Sequence, residues 1–113
     1  KSEAVSVASG RIPAPSYRKV YKEGRSVANR FLVMYYQGDT LPVRLGVVAS
    51  RKVGKACVRN KVKRRIKESF RHVLPLIEPK GEFVFIARHR SVQATYGEIH
   101  DAVKDLLKRM GLF

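Results

Sequence analysis

The chain has 113 residues, 44% of them hydrophobic, which suits one domain with a modest core. Lysine and arginine total 24 against 9 acidic residues, a net charge of +15, so nucleic acid is the favoured partner, ahead of an anionic membrane surface or an acidic protein. The single cysteine, Cys57, excludes an internal disulfide, no apolar run approaches the roughly 18–20 residues that span a bilayer, and no stretch has the basic start, apolar centre and cleavage site of a signal peptide.

Residues 1–16 carry Ser2, Ser6, Ser9, Gly10, Pro13 and Pro15 without an apolar period. They read as an irregular amino-terminal arm, leaving 17–113 as the folded domain. The first residue is Lys1, as expected of a processed or trimmed chain. A short helix is expected over Ser16–Glu23, with Ser16 as N-cap and Gly24 closing it. Tyr17, Val20 and Tyr21 share one face of it, either as core or as a binding surface. Phe31–Tyr36 and Arg44–Ser50 read as strands. The turn residues Gly38, Asp39 and Pro42 between them suggest a hairpin. A loop around Gly54 leads to the strongest helix, Ala56–Leu74, in which Val58, Val62, Ile66, Phe70 and Val73 form an apolar stripe and Pro75 marks the end. Pro79, Lys80 and Gly81 make a turn, Phe83–Ala87 a third strand, and Thr95–Met110 a last helix. That helix opens on a Thr95–Glu98 capping box; its core face is Ile99, Ala102, Val103, Leu106, Leu107 and Met110. The order is αββαβα, one sheet with helices packed on it.

The helix over 56–74 carries the chemistry. Arg59, Lys63 and Lys67 form a row beside the apolar stripe. Asn60, Arg64 and Arg71 form the next row, and Lys61 and Arg65 lie farther round. Glu68 is the one acid among them. An exposed helix usually mixes signs to gain i,i+4 pairs. This one accepts like-charge repulsion, which makes sense where phosphates supply the counter-charge. A merely solvated basic face is the blander reading. Asn60 suits reading a base edge or a 2′-hydroxyl, or capping the preceding loop.

The run Arg59-Asn60-Lys61-Val62-Lys63-Arg64-Arg65-Ile66-Lys67-Glu68-Ser69-Phe70-Arg71 resembles the signature helix of the bacterial ribonuclease P protein subunit. Tyr17-Arg18-Lys19-Val20-Tyr21-Lys22-Glu23-Gly24-Arg25-Ser26 is similar to that family's first helix and turn. Val27-Ala28-Asn29-Arg30, Arg44-Leu45-Gly46, Ser50-Arg51-Lys52-Val53-Gly54 and Ile86-Ala87-Arg88 fall where the family has such residues. The resemblance covers roughly residues 17–110 in matching order.

It implies an α+β fold: a single-domain α/β sandwich like the second domain of ribosomal protein S5, with a left-handed βαβ crossover. It implies a cytoplasmic bacterial protein whose partner is a large catalytic RNA. That RNA, with bound Mg2+, removes the 5′ leader of precursor tRNA, and the protein has no catalytic residues and binds no metal tightly. Neither a membrane, a small-molecule substrate nor an obligate protein partner is implied. Carried over residue by residue, Arg59, Asn60, Lys63, Arg64, Lys67 and Arg71 would face the catalytic RNA, Lys67 standing where an arginine is usual. The family's leader-binding cleft is expected between the signature helix and the sheet. Tyr17, Tyr21 and Tyr35 occupy its aromatic positions, and Ser50, Arg51 and Lys52 edge it. A stacked base is worth roughly 1–3 kcal/mol whatever its identity, which fits leaders of many sequences. The family's basic segment before the first helix is not matched, since Arg11-Ile12-Pro13-Ala14-Pro15-Ser16 has one basic residue.

The main alternative is a ribosomal or other structural RNA-binding protein, which would share charge, size and fold. A DNA-binding module fits less well, because nothing resembles a helix-turn-helix or a zinc finger. A protein hydrolase would need a nucleophile motif or clustered carboxylates. HExxH, CxxC and GxSxG are all missing. Glu98, Asp101 and Asp105 share a helix face but are expected to balance Lys104 and Lys108. Cys57 reads as a packing residue or idle thiol, and His72 and His89 belong to the general basic field.

Overall fold

Pro15 lacks an N–H and has a φ suited to a helix start, and it sits in the first turn of helix α1, Ala14–Glu23. The computed structural model describes residues 14–38, 43–77 and 81–112. Helix α1 therefore starts ahead of the expected N-cap, and Ser16 lies within it. The rest of the irregular arm, the turn residues Asp39 and Pro42, and Pro79 and Lys80 fall outside the described residues. Gly24 ends α1 with its N–H on the Val20 carbonyl at 2.9 Å. A Cβ there would come within 2.5 Å of the Val20 oxygen and 2.7 Å of the Tyr36 oxygen, so the close approach of two backbones demands glycine.

Strand β1, Arg25–Ala28, follows at once. It pairs antiparallel with β2, Leu32–Gln37, in the register Ser26↔Tyr35. β3 is Arg44–Val48 and β4 is Glu82–Ala87. Between them runs α2, Ala56–Val73, 18 residues ended by a 3-10 turn at Leu74–Leu76. A second 3-10 turn, His89–Gln93, leads to α3, Tyr96–Arg109. The order is thus αβββαβα, one strand more than the sequence pattern suggests. β1 escapes a reading by composition because Val27 is its one β-branched residue, and its pairing with β2 makes it a strand.

The hairpin expected between β2 and β3 does not form. The sheet order is β1-β2-β4-β3, with β4 antiparallel to β2 and parallel to β3. A parallel neighbour needs a crossover of a dozen residues or more, and α2 supplies it. β4 is the buried strand, with five of its six residues buried, as an unbroken apolar run between two neighbours should be.

The sheet has two unlike faces. On one, Leu32, Met34, Tyr36, Phe83 and Phe85 pack with Val62, Ile66 and Phe70 of α2 and Ile99, Val103 and Leu106 of α3. Phe70 meets Phe83 at 4.9 Å and Phe85 at 5.7 Å between ring centroids. The other face is held by Val20 of α1 on Val84, with Tyr35, Val48 and Ile86 around them. Arg44 and Glu82 pair across β3 and β4 at 3.3 Å.

Asn29 ties the two layers at one end. Its Oδ1 accepts from the Phe31 and Leu32 N–H groups at 3.1 and 3.0 Å. Its Nδ2 donates to the Ala102 carbonyl and to Asp105 Oδ2, both at 3.1 Å. The α3 capping box forms as expected, Thr95 Oγ1 accepting from the Glu98 N–H at 3.1 Å and Glu98 Oε1 from the Thr95 N–H at 2.9 Å.

Candidate nucleic-acid interface

Helix α2 buries Val62, Ile66, Phe70 and Val73, with Val58 half-buried at its start. That fixes which residues point outward. Asn60, Lys61, Arg64, Lys67 and Arg71 are exposed, and Arg59 and Lys63 are half-buried. Lys55 is the N-cap and no acid stands in the first turn, so positive charge crowds the positive end of the helix dipole against the usual preference. Arg59 has its Nε buried without a hydrogen-bond partner among the described residues. Arg65 departs from the row: its Nη1 donates to the Ala94 carbonyl at 2.8 Å, tethering α2 to the segment before α3. Asn60 does not cap the helix, whose start has no side-chain cap; its amide projects with the arginines.

The aromatic residues lie on the opposite side. Tyr21 is 40% exposed on α1, and its ring meets Tyr35 of β2 edge-on at 4.9 Å. Tyr35 packs on the Val20–Val84 cluster. Tyr17 lies in α1 four residues before Tyr21, and its side chain is outside the described residues. Ser50, Arg51 and Lys52 are exposed just beyond β3, whose Val48 belongs to the same cluster. The expected cleft between the signature helix and the sheet is not there, because Phe70, Ile66 and Val62 fill that space. The aromatic surface lies instead between α1 and the other face of the sheet. Strand alternation decides this: Tyr36 points to α2, so Tyr35 must point away.

Sequence reasoning passed over Arg18, Lys19 and Lys22, which are exposed on α1 around Tyr21. The signal was present, since Lys22 directly follows Tyr21 and Lys19 stands two residues before it. Glu98 is occupied by the cap. Asp105 is held by Asn29 and by Arg109, the latter at 3.3 Å. Among the described residues no three His, Cys, Asp or Glu side chains stand close enough to hold a metal ion, and no helix is long and apolar enough to cross a membrane.

The Ribonuclease P family model matches residues 13–111. The chain belongs to the ribonuclease P protein family. The ribonuclease P protein component of Clostridium kluyveri is 47% identical over 100 residues, covering 86% of this chain and 89% of that one. That of Clostridioides difficile is 45% identical over 95 residues, covering 82% and 83%. Among solved structures, the Staphylococcus aureus ribonuclease P protein superposes with a TM-score of 0.82 at 34% identity, covering 91% of this chain and 96% of that one. The Thermotoga maritima protein gives 0.79 at 30% identity, covering 88% and 96%. As a ribonuclease P protein the chain is the RNA-binding component of a tRNA-processing enzyme, and the ribosomal alternative falls away.

Proposed function

We propose that this chain serves a cytoplasmic ribonuclease P through two separate surfaces on opposite sides of its sheet. The exposed row of α2, Asn60, Arg64, Lys67 and Arg71 with Arg59 and Lys63 beside it, binds the folded catalytic RNA. The α1–sheet face, Tyr21 and Tyr35 with Tyr17, Ser50, Arg51 and Lys52, takes the single-stranded 5′ leader of precursor tRNA. The observation that supports this reading is the arrangement itself: a one-sided row of cations along α2, and on the other face of the sheet two tyrosines in contact with each other and flanked by cations. Cations position a phosphate backbone without reading it, while aromatic rings stack on unpaired bases of any sequence.

The chemistry belongs to the RNA partner in this reading, and no residue of the chain is catalytic. Mg2+ belongs there too. The described carboxylates do not fit a metal site, since Glu98 and Asp105 are engaged in a cap and an ion pair. No further protein partner is required.

The test is cleavage of precursor tRNA by a bacterial ribonuclease P RNA at low magnesium, with and without the protein. Marked stimulation with the cut at the mature 5′ end is expected; tight RNA binding without stimulation would refute the assignment. Arg64→Ala should weaken RNA-subunit binding and lower the salt-dependence slope by about 1, leaving leader preference intact. Tyr17→Ala or Tyr35→Ala should weaken precursor tRNA binding and spare mature tRNA, and equal losses on both would reject stacking on the leader.

A further inference from the structure

A groove of about 510 Å³ opens between α2 and α3, beside the Arg71 end of the α2 row and away from the α1–sheet face, lined by His72, Tyr96, Gly97, His100 and Asp101. Its volume lies within the roughly 300–1,000 Å³ of small-ligand clefts. Tyr96 is 37% exposed, and its ring neighbours that of His100, 6.1 Å between centroids with the planes tilted by 30°. His72 of α2 meets His100 at 6.5 Å. Three flat rings thus frame one opening.

Gly97 forms part of the lining, and nothing in the fold requires a glycine there. A Cβ would meet only Thr95 Oγ1, at 3.9 Å, and glycine is the poorer helix former. Asp101 is the single acid lining the groove, and it is exposed. Unlike Asp105, it enters no ion pair among the described residues.

We propose that this groove is a nucleobase subsite that prefers guanine. The proposal rests on the RNA-binding reading and extends it to a third contact. Aromatic and imidazole rings stack on unpaired bases. A carboxylate at the groove repels phosphate, so the occupant is a base rather than the backbone. An ionised carboxylate only accepts hydrogen bonds. Guanine alone of the four bases offers it two adjacent donors, N1–H and the N2 amino group. The position suits an RNA strand lying on α2, because His72 directly follows Arg71 and lies about 100° round the helix from it. A nucleotide bulged from RNA seated on Arg64 and Arg71 enters the groove sideways.

The test is an amide-resolved NMR titration of the full chain with guanosine 5′-monophosphate and with adenosine 5′-monophosphate. Their phosphate is common, so any difference reads the base. Gly97, His100 and Asp101 amides should shift with the guanine nucleotide at a Kd about tenfold lower than with the adenine one. Asp101→Asn should bring that ratio to about one, and Tyr96→Ala should weaken both. Both side chains are exposed, and an unchanged melting temperature verifies that the fold is kept. Equal shifts with both nucleotides, or shifts confined to α1 and the outer row of α2, would overturn the proposal. The titration needs no RNA subunit, so it fails or succeeds independently of the stimulation test.

Discussion

Replacing Asn29 with alanine should destabilise the protein far more than an ordinary loop substitution. Four hydrogen bonds converge on this one amide, from two backbone N–H groups and to the Ala102 carbonyl and Asp105. Each is worth about 1 kcal/mol net, and the one to a carboxylate rather more. The site is half-buried, so water recovers part of the loss, which leaves about 2–4 kcal/mol. That is a large share of the roughly 5–15 kcal/mol that holds a domain together. For a chain of this size it corresponds to a fall of about 8–15 °C in melting temperature. Asn29→Asp is the informative companion. It keeps the acceptors for Phe31 and Leu32 but turns a carboxylate oxygen toward Asp105 and the Ala102 carbonyl, so it should be no better than alanine at neutral pH. Thermal and urea unfolding followed by circular dichroism measure both. A loss below about 0.5 kcal/mol for Asn29→Ala would show that the turn between β1 and β2 holds without its link to α3. RNA-subunit affinity of the folded variant should be unchanged, since Asn29 is remote from the outer row of α2.

Gly24→Ala forces a Cβ to within 2.5 Å of one backbone oxygen and 2.7 Å of another; urea denaturation should register a loss of about 2 kcal/mol or more, and an unchanged midpoint would contradict the close approach of α1 and β2. Arg44→Met removes the partner of Glu82, whose side chain is 3% exposed while that of Arg44 is 35%. The half-open arginine softens the penalty to about 2 kcal/mol, which thermal melting should detect. Lys67→Arg restores a forked donor at an exposed position of α2, so it should tighten RNA-subunit binding by a few-fold in a filter-binding assay; a weakening would place Lys67 off the RNA.

What could be read in advance follows from where the energetic decisions are local. The α2 stripe, the α3 core face and the Thr95–Glu98 box rest on neighbours three or four residues apart, and they appear as expected. β1 was invisible because Arg25-Ser26-Val27-Ala28 has no periodic pattern and is a strand only through its partner. The supposed hairpin failed for a related reason: Gly38 and Pro42 announce a turn but cannot say whether the strands they separate end up as neighbours. β4 held the missing clue, its unbroken Phe83-Val84-Phe85-Ile86-Ala87 run calling for a partner on each side. The tyrosines were found by composition and family resemblance, yet set against the wrong helix. Alternation along β2 would have separated Tyr35 from Tyr36 and α2. The link from Asn29 to α3 could not have been found, because those two partners lie more than seventy residues away in sequence.

The place of β4 has a consequence for the order in which the molecule can be made. β2 and β3 are both synthesised before the strand that joins them. At roughly 5–20 residues per second, a growing chain spends about 2–8 seconds with those strands unjoined, the last roughly 1–3 of them with α2 already complete. Over that interval the stripe of α2 has no finished sheet to rest on, while its cations are already displayed. The late, long-range closure is a slow kind of step, and self-repulsion among the cations opposes it. Counter-charge that screens those cations at that stage eases the closing of β4 between its neighbours. The strand order thus makes the closing of the sheet, rather than the forming of α2, the step on which ionic conditions act most.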